Sequence, residues 1–262
     1  MSNLIKSQFG VSSIINGTKH FMAGVELEIE SINSFGSTAK WDEWNITEDG
    51  SLRNSGKELI SPPLPLEKLV EGFKAIHKEL VYFNKDQAFS ERTSIHVHVN
   101  MLDNTIDQGK SMLLWYALFE PCFFAMVAPG RRNNIHCVGL DQTNMSEFYN
   151  RSLSYIQGKW HKYAAFNMKP LGNIGTIEFR HMEGHNDPVR FESWLKTLRN
   201  LWQFSQDFPM SEDLLTEKEI GAAFTAIFKD APTIQGLKPS LMNLLSNNIL
   251  DIKLSFLPNS KD

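Results

Sequence analysis

Val25-Glu26-Leu27-Glu28-Ile29-Glu30, Ser94-Ile95-His96-Val97-His98-Val99-Asn100 and Thr176-Ile177-Glu178-Phe179-Arg180 alternate polar and apolar residues without a break. Alternation of period two marks a strand with one apolar face, because successive side chains point to opposite sides. Glu26, Glu28 and Glu30 therefore share a face, as do His96, His98 and Asn100, and Glu178 with Arg180. Val25, Leu27, Ile29, Ile95, Val97, Val99, Ile177 and Phe179 occupy the other faces and are candidates for a core. A row of carboxylates repels itself and calls for a compensating cation. These strands are read as the walls of a divalent-metal site.

The rest of the composition sets bounds. The chain has 262 residues, a formal net charge of -4, 42% apolar and 21% charged residues. Those values suit a globular protein of one large or two small domains and give no sign of nucleic-acid binding or of attraction to membranes. The most apolar stretch, Met112 to Ala128, is interrupted by Glu120 and Pro121 and is not a membrane span. Met1-Ser-Asn-Leu-Ile-Lys6 lacks a secretory apolar region. Cys122 and Cys137 are the two cysteines, and they read as free buried thiols. The expected compartment is the cytoplasm.

Strands are expected near 22–31, 43–48, 57–61, 93–100, 162–168 and 175–181, with Asp49-Gly50 turning the second into the third. Leu69, Phe73, Ile76, Leu80 and Phe83 have helical spacing. A long apolar helix is expected from about Thr105 to Val127, capped by Asp103, and a short one near 144–156. Further helices are expected near 188–206, starting at Pro188, and near 212–229 and 239–250. Strands in a meander with helices inserted between them define an α+β fold, not a doubly wound one.

Each candidate has a plainer reading. Three glutamates on a strand can be the solvated face of an edge, but Glu58 in mid-strand and Asp49 at the turn before it extend the cluster. Histidines at i and i+2 converge on one point and suit metals or phosphates alike. Zinc spacings of the His-Glu-x-x-His or Cys-x-x-Cys kind are absent, and a carboxylate-rich set favours Mg²⁺ or Mn²⁺. Glu178 and Arg180 read either as a surface ion pair or as a metal ligand beside a phosphate clamp, for which the planar guanidinium is suited. Arg131 and Arg132 lie in a loop that could hold an anionic substrate or phosphate. Asn104 to Ser111 imitates a phosphate-binding loop around Gly109-Lys110-Ser111, but Asn104 replaces its first glycine.

Gly24-Val-Glu26-Leu-Glu28, Asp49-Gly-Ser-Leu, Gly56-Lys-Glu58-Leu-Ile-Ser-Pro-Pro-Leu, Ser94-Ile-His96-Val-His98-Val-Asn100, Tyr163-Ala-Ala-Phe-Asn167 and Gly175-Thr-Ile-Glu178-Phe-Arg180, in that order, resemble the amidoligase family. It belongs to the glutamine synthetase and glutamate–cysteine ligase superfamily of carboxylate–amine ligases. The resemblance covers about residues 20–205. It implies a curved antiparallel β-sheet of the glutamine synthetase type, with helices on its outer face and with metals and ATP on the concave one. It implies that ATP phosphorylates a carboxylate and that an amine attacks the acyl phosphate to form an amide or isopeptide bond. Glu26, Glu28, Glu58, His96 and Glu178 match the metal ligands, with Asp49 less surely aligned. His98 matches the residue that approaches ATP phosphate, and Arg180 the phosphate-contacting arginine. Glu30 needs no ligand role and is placed at the rim of the sheet.

The expected organisation is an irregular lead-in over residues 1–20, a catalytic domain over 21–206 and a helical extension over 207–262 packed on it. Expected partners are a small-molecule or peptide carboxylate, an amine, ATP and Mg²⁺ or Mn²⁺. Oligomeric state and substrate identity are left open. Specificity is expected in the 129–145 loop and the helical C-terminus. Three other functions compete: a phosphotransferase on the same sheet, a metal-dependent hydrolase, and a binding module without turnover.

Overall fold

The structure, a computed structural model, describes residues 3–12, 20–31, 44–82, 88–140 and 151–256. Among the described residues, six strands form one open antiparallel sheet: β1 (Ala23–Ile29), β2 (Asn45–Glu48), β3 (Lys57–Ile60), β4 (Ser94–Asn100), β5 (Phe166–Asn167) and β6 (Thr176–Glu183), in the order β2-β3-β1-β4-β6-β5. The three alternating segments are thus the adjacent central strands β1, β4 and β6, and the α+β expectation holds. Residue 43, Phe83 and the segment 144–150, where parts of a strand and two helices were expected, lie outside the described residues.

Alternation sorts the two faces as expected. Val25, Leu27, Ile29, Ile95, Val97, Val99, Ile177 and Phe179 are buried in the core. Helices α2 (Leu66–Tyr82), α3 (Ile106–Ala125) and α5 (Pro188–Asp207) belong to the same core, through Leu69, Phe73, Trp115, Phe119, Phe123, Trp194 and Leu198. So do the later helices, α6 (Glu217–Ile227), α7 (Pro232–Gln235), α8 (Leu241–Leu244) and α9 (Ser246–Phe256), through Phe224, Ile234, Leu241 and Ile252.

Helix α3 explains why Pro121 is tolerated in mid-helix. A proline has no N–H for the carbonyl four residues earlier, which here is Ala117. The side-chain amide of Asn248, on α9, donates to that carbonyl at 2.6 Å. The helix is buried on nearly every side from Gly109 to Phe124, which its unbroken apolar run requires.

Four local expectations are corrected. Thr105, not Asp103, caps α3: its hydroxyl accepts from Gln108 N while the Gln108 side chain accepts from Thr105 N, a reciprocal box. Asp103 instead pairs with Lys6. The lead-in contains a helix, α1 (Ile5–Phe9), held by Ile5 N–H to Asn104 O and Lys6 N–H to Leu102 O. The region around 239–250 breaks at Leu245, between α8 and α9, and α9 runs on to Phe256. Ser152 begins helix α4 (Leu153–Lys159), later than the short helix expected there.

Strand β6 carries a bulge. Ile95 pairs with Met182 but Val97 with Phe179, so β6 uses one residue more than β4 over that interval. The extra residue resets the alternation. His181 is fully buried among Tyr116, Phe123, Phe124 and Trp194, while Ser94 still pairs with Glu183.

Candidate metal and nucleotide site

The face of the sheet opposite the helices carries the polar set. Glu26 stands across from His96 on β4, and His98 across from Glu178 on β6. Adjacent strands lie about 4.8 Å apart, so register alone brings the four side chains together. His96 Nδ1 lies 3.3 Å from Glu26 Oε2 and 3.4 Å from Glu178 Oε1. His98 Nε2 lies 3.2 Å from Glu26 Oε1. Glu26, His98 and Glu178 offer ligand atoms within 4.8 Å of one another; Glu28, Asp49 and Glu58 form a second such group. Glu26 and Glu28, two residues apart on one strand, serve the two groups in turn.

Neighbours aim these ligands. The Thr176 hydroxyl lies 3.0 Å from His98 Nδ1, which directs Nε2 at the carboxylates. Ser94 donates its N–H and hydroxyl to Glu28 Oε2, and its hydroxyl lies 2.8 Å from His96 Nε2. Asn167 on β5 donates to Glu178 Oε2 at 2.7 Å. Arg180 pairs with Glu178 Oε1, donates from Nε to the His136 carbonyl at 3.1 Å and lies over the Tyr163 ring. Ser94, Thr176, Asn167, His136 and Tyr163 are not among the candidates that strand alternation singles out, and the fold adds them to the site. Ser94 and Thr176 had a usable signal, since each stands two residues before a named site residue and therefore on its face.

Three further residues offer no atom to these ligand groups, although Arg131 lines the same polar cavity as Arg180. Glu30, just past β1, is buried and accepts the N–H of Arg53 at 2.8 Å, which makes it a loop anchor. Arg131 is buried and donates to the carbonyls of His181 and Arg180 at 2.8 and 2.6 Å. Arg132 lies over the Phe124 ring and lines a different cavity, beside Pro121 and Leu244.

The electrostatics suit a cation. Burial alone would raise the Glu26 carboxyl, but hydrogen bonds and charge from His98 and His96 pull it well below the usual range. Burial would lower the His98 imidazole, yet Glu26 and Glu178 hold it above its ordinary value. Burial, and then the charges of Glu26, Glu28 and Asp49, push Glu58 up to about 7. A divalent ion would displace the imidazole proton and offset both carboxylate groups. His98 Nε2 is buried and faces the Glu26 carboxylate at 3.2 Å, where a cation could take the place of its proton. The residues present therefore fit one or two hard cations such as Mg²⁺ or Mn²⁺.

Two cavities meet at Glu26. One, of about 470 Å³, is lined by Phe9, Val11, Ile60, Pro63, Leu102 and Ile174, and also by Glu26, His98, Asn100 and Thr176. The other, of about 630 Å³, is polar and holds Glu26, Glu28, Asp49, Glu58, His96 and Arg180, with Tyr163 and His136. The former sits at the Gly24 end of β1 and the latter at the Glu28 end.

An antiparallel sheet with helices on one face and paired carboxylate clusters on the other defines a protein whose polar site is carried by strands. The chain belongs to the family described as "putative amidoligase enzyme", whose model matches residues 11–202. A solved structure titled "Crystal structure of novel glutamine synthase homolog" is similar at 13% identity with a TM-score of 0.45, over 90% of this chain and 65% of that one. This chain thus spans a little under two thirds of that neighbour's length. No curated protein matches the chain. No helix among the described residues is long and apolar enough to cross a membrane.

Proposed function

We propose that this protein is an ATP-dependent ligase that joins a carboxylate to an amine, activating the carboxylate as an acyl phosphate. Family membership supports the coarse reading, an amide-forming ligase. The observation that carries the finer one is the pair of carboxylate clusters at the junction of an apolar and a polar cavity. The apolar cavity suits a nucleobase and ribose, and the polar one a carboxylate substrate and its amine. Room for a nucleotide beside the carboxylate clusters is what a nucleotide-dependent reaction requires, and turnover without ATP would favour the metal-dependent hydrolase.

Bound there, ATP would supply the phosphoryl group, and Mg²⁺ or Mn²⁺ would neutralise its oxygens. Glu26, His98 and Glu178 would hold one ion, with His96 against the same carboxylates, and Glu28, Glu58 and Asp49 a second. Thr176, Ser94 and Asn167 fix the rotamers of these ligands in advance, so little reorganisation is left for the reaction. Arg180 presents a guanidinium to charge developing on the transferred group. The Tyr163 ring and the His136 carbonyl keep it from swinging away.

The test is a panel of carboxylates and amines with Mg-ATP, read by phosphate release and by mass spectrometry. Phosphate should appear with ADP and depend on the amine, and hydroxylamine should trap a hydroxamate. Release of AMP and pyrophosphate would indicate adenylation and overturn the mechanism. Phosphate transfer to a stable product without an amine would favour the phosphotransferase.

A further inference from the structure

We propose that Arg131 is a positioning residue: it holds the β6 bulge in the shape that points Arg180 into the polar cavity. The proposal rests on the reading of that cavity as the site of phosphoryl transfer. A bulge re-aims side chains, but its irregular backbone leaves carbonyls that no ladder partner satisfies. Arg131 Nε donates to His181 O at 2.8 Å and Nη2 to Arg180 O at 2.6 Å. One planar guanidinium thus spans the two residues that form the bulge. Arg131 is only 5% exposed and makes no ion pair with a carboxylate among the described residues. A buried cation bonded to carbonyls is expensive to maintain, and its position identifies what it secures.

The segment around Arg131 is tied down at both ends. Ala128 N–H donates to Glu183, and Leu140 N–H to the buried Glu120 carboxylate. Val138 exchanges backbone bonds with Tyr163 and Ala165, and Arg180 N–H reaches Ala165 O. The His136 carbonyl in the same segment accepts the Arg180 Nε–H at 3.1 Å. Behind the bulge, His181 Nε2 lies 2.8 Å from the Tyr116 hydroxyl, which donates to Glu120 at 2.8 Å. Arg131 therefore grips the backbone of Arg180, while the segment that carries it grips the Arg180 side chain. Lysine in its place keeps the charge but cannot offer two donors in one plane.

Two measurements test this on the full chain. In ¹⁵N spectra, the Arg180 Nε–H is identified as the signal that Arg180→Lys removes. Arg131→Lys should increase its exchange with water by about tenfold or more while the remaining backbone spectrum persists, as local opening at one contact would. With a working assay, Arg131→Lys should lower kcat by about a hundredfold with KM for ATP little changed, the size of effect that a small misplacement of a catalytic group produces. Adding Arg180→Lys should cost little more, because coupled residues are not additive. Arg131→Met, which leaves both carbonyls unpaired, should be worse than lysine and less stable. An unaltered Arg180 signal in a folded Arg131→Lys protein, or costs that add, would reduce Arg131 to a structural brace and overturn the proposal. If no carboxylate–amine ligation is found at all, the functional reading fails, and the exchange measurement still decides the role of Arg131.

Discussion

Glu28 and Glu58 stand directly opposite each other on β1 and β3, and Asp49 brings a third carboxylate within 4.8 Å of theirs. Like charges in cross-strand register destabilise a sheet, so the arrangement makes physical sense as a cation site. It also makes the metal-free protein sensitive to pH. The Glu58 carboxyl is raised from 4.5 to about 7 on folding. A raised carboxyl contributes stability that is full below its unfolded pKa and is lost as pH rises through its folded one. In EDTA, Tm should therefore carry a falling component between pH 4.5 and about 7 that Glu58→Gln removes. Excess Mg²⁺ should raise Tm most at the alkaline end of that window, where the carboxylate is ionised. Identical pH slopes in the wild type and in Glu58→Gln would contradict the assignment.

Glu26→Gln, Glu58→Gln and Glu178→Gln should each abolish turnover with the fold intact, because each removes a ligand charge and keeps the shape. Loss of less than about tenfold in all three would be too small for metal-held transition-state charge, which is worth several kcal/mol. Circular dichroism on the same samples separates loss of function from unfolding.

The two histidines can be ranked by Mn²⁺ titration. The resemblance alone gives His96 the metal and His98 the phosphate. Geometry gives His98 a place in the ligand group with Glu26 and Glu178, while His96 faces the same carboxylates through Nδ1 from outside that group. We expect His98→Ala to weaken Mn²⁺ binding at least as much as His96→Ala, and Thr176→Val to weaken it by about tenfold through lost orientation of His98. Full Mn²⁺ affinity in His98→Ala would restore the ranking that the resemblance implies.

Lys110→Ala should leave nucleotide binding unchanged. Lys110 lies in the first turns of α3, and neither cavity at Glu26 includes it. Calorimetry showing lost ATP binding with a normal Tm would revive the phosphate-binding loop that Gly109-Lys110-Ser111 imitates.

Asn248→Leu should destabilise the fold by about 1–3 kcal/mol, since it leaves the Ala117 carbonyl unsatisfied beside Pro121. Mg²⁺ affinity should be unaffected, because α9 joins the core and not the acid face. Urea denaturation checks the first claim and calorimetry the second.

Which residues share the acid face was legible in the sequence, because strand alternation has a fixed period of two and needs no tertiary information. Glu26, Glu28, His96, His98, Glu178 and Arg180 all fall where that period puts them, and the antiparallel α+β class followed from the same segments. Their pairing in space did not follow. Ladder register set Glu26 against His96 and Glu28 against Glu58, and register depends on turns and packing far from those residues. The paired arginines show the limit most clearly. Arg131 and Arg132 are neighbours in one loop and read alike, yet one is buried against the β6 bulge and the other lies over Phe124. A bulge, a buried guanidinium and the amide that completes a proline-broken helix all arise from contacts between residues far apart in the chain. Local periodicity carries no record of such contacts, so only the folded structure could decide them.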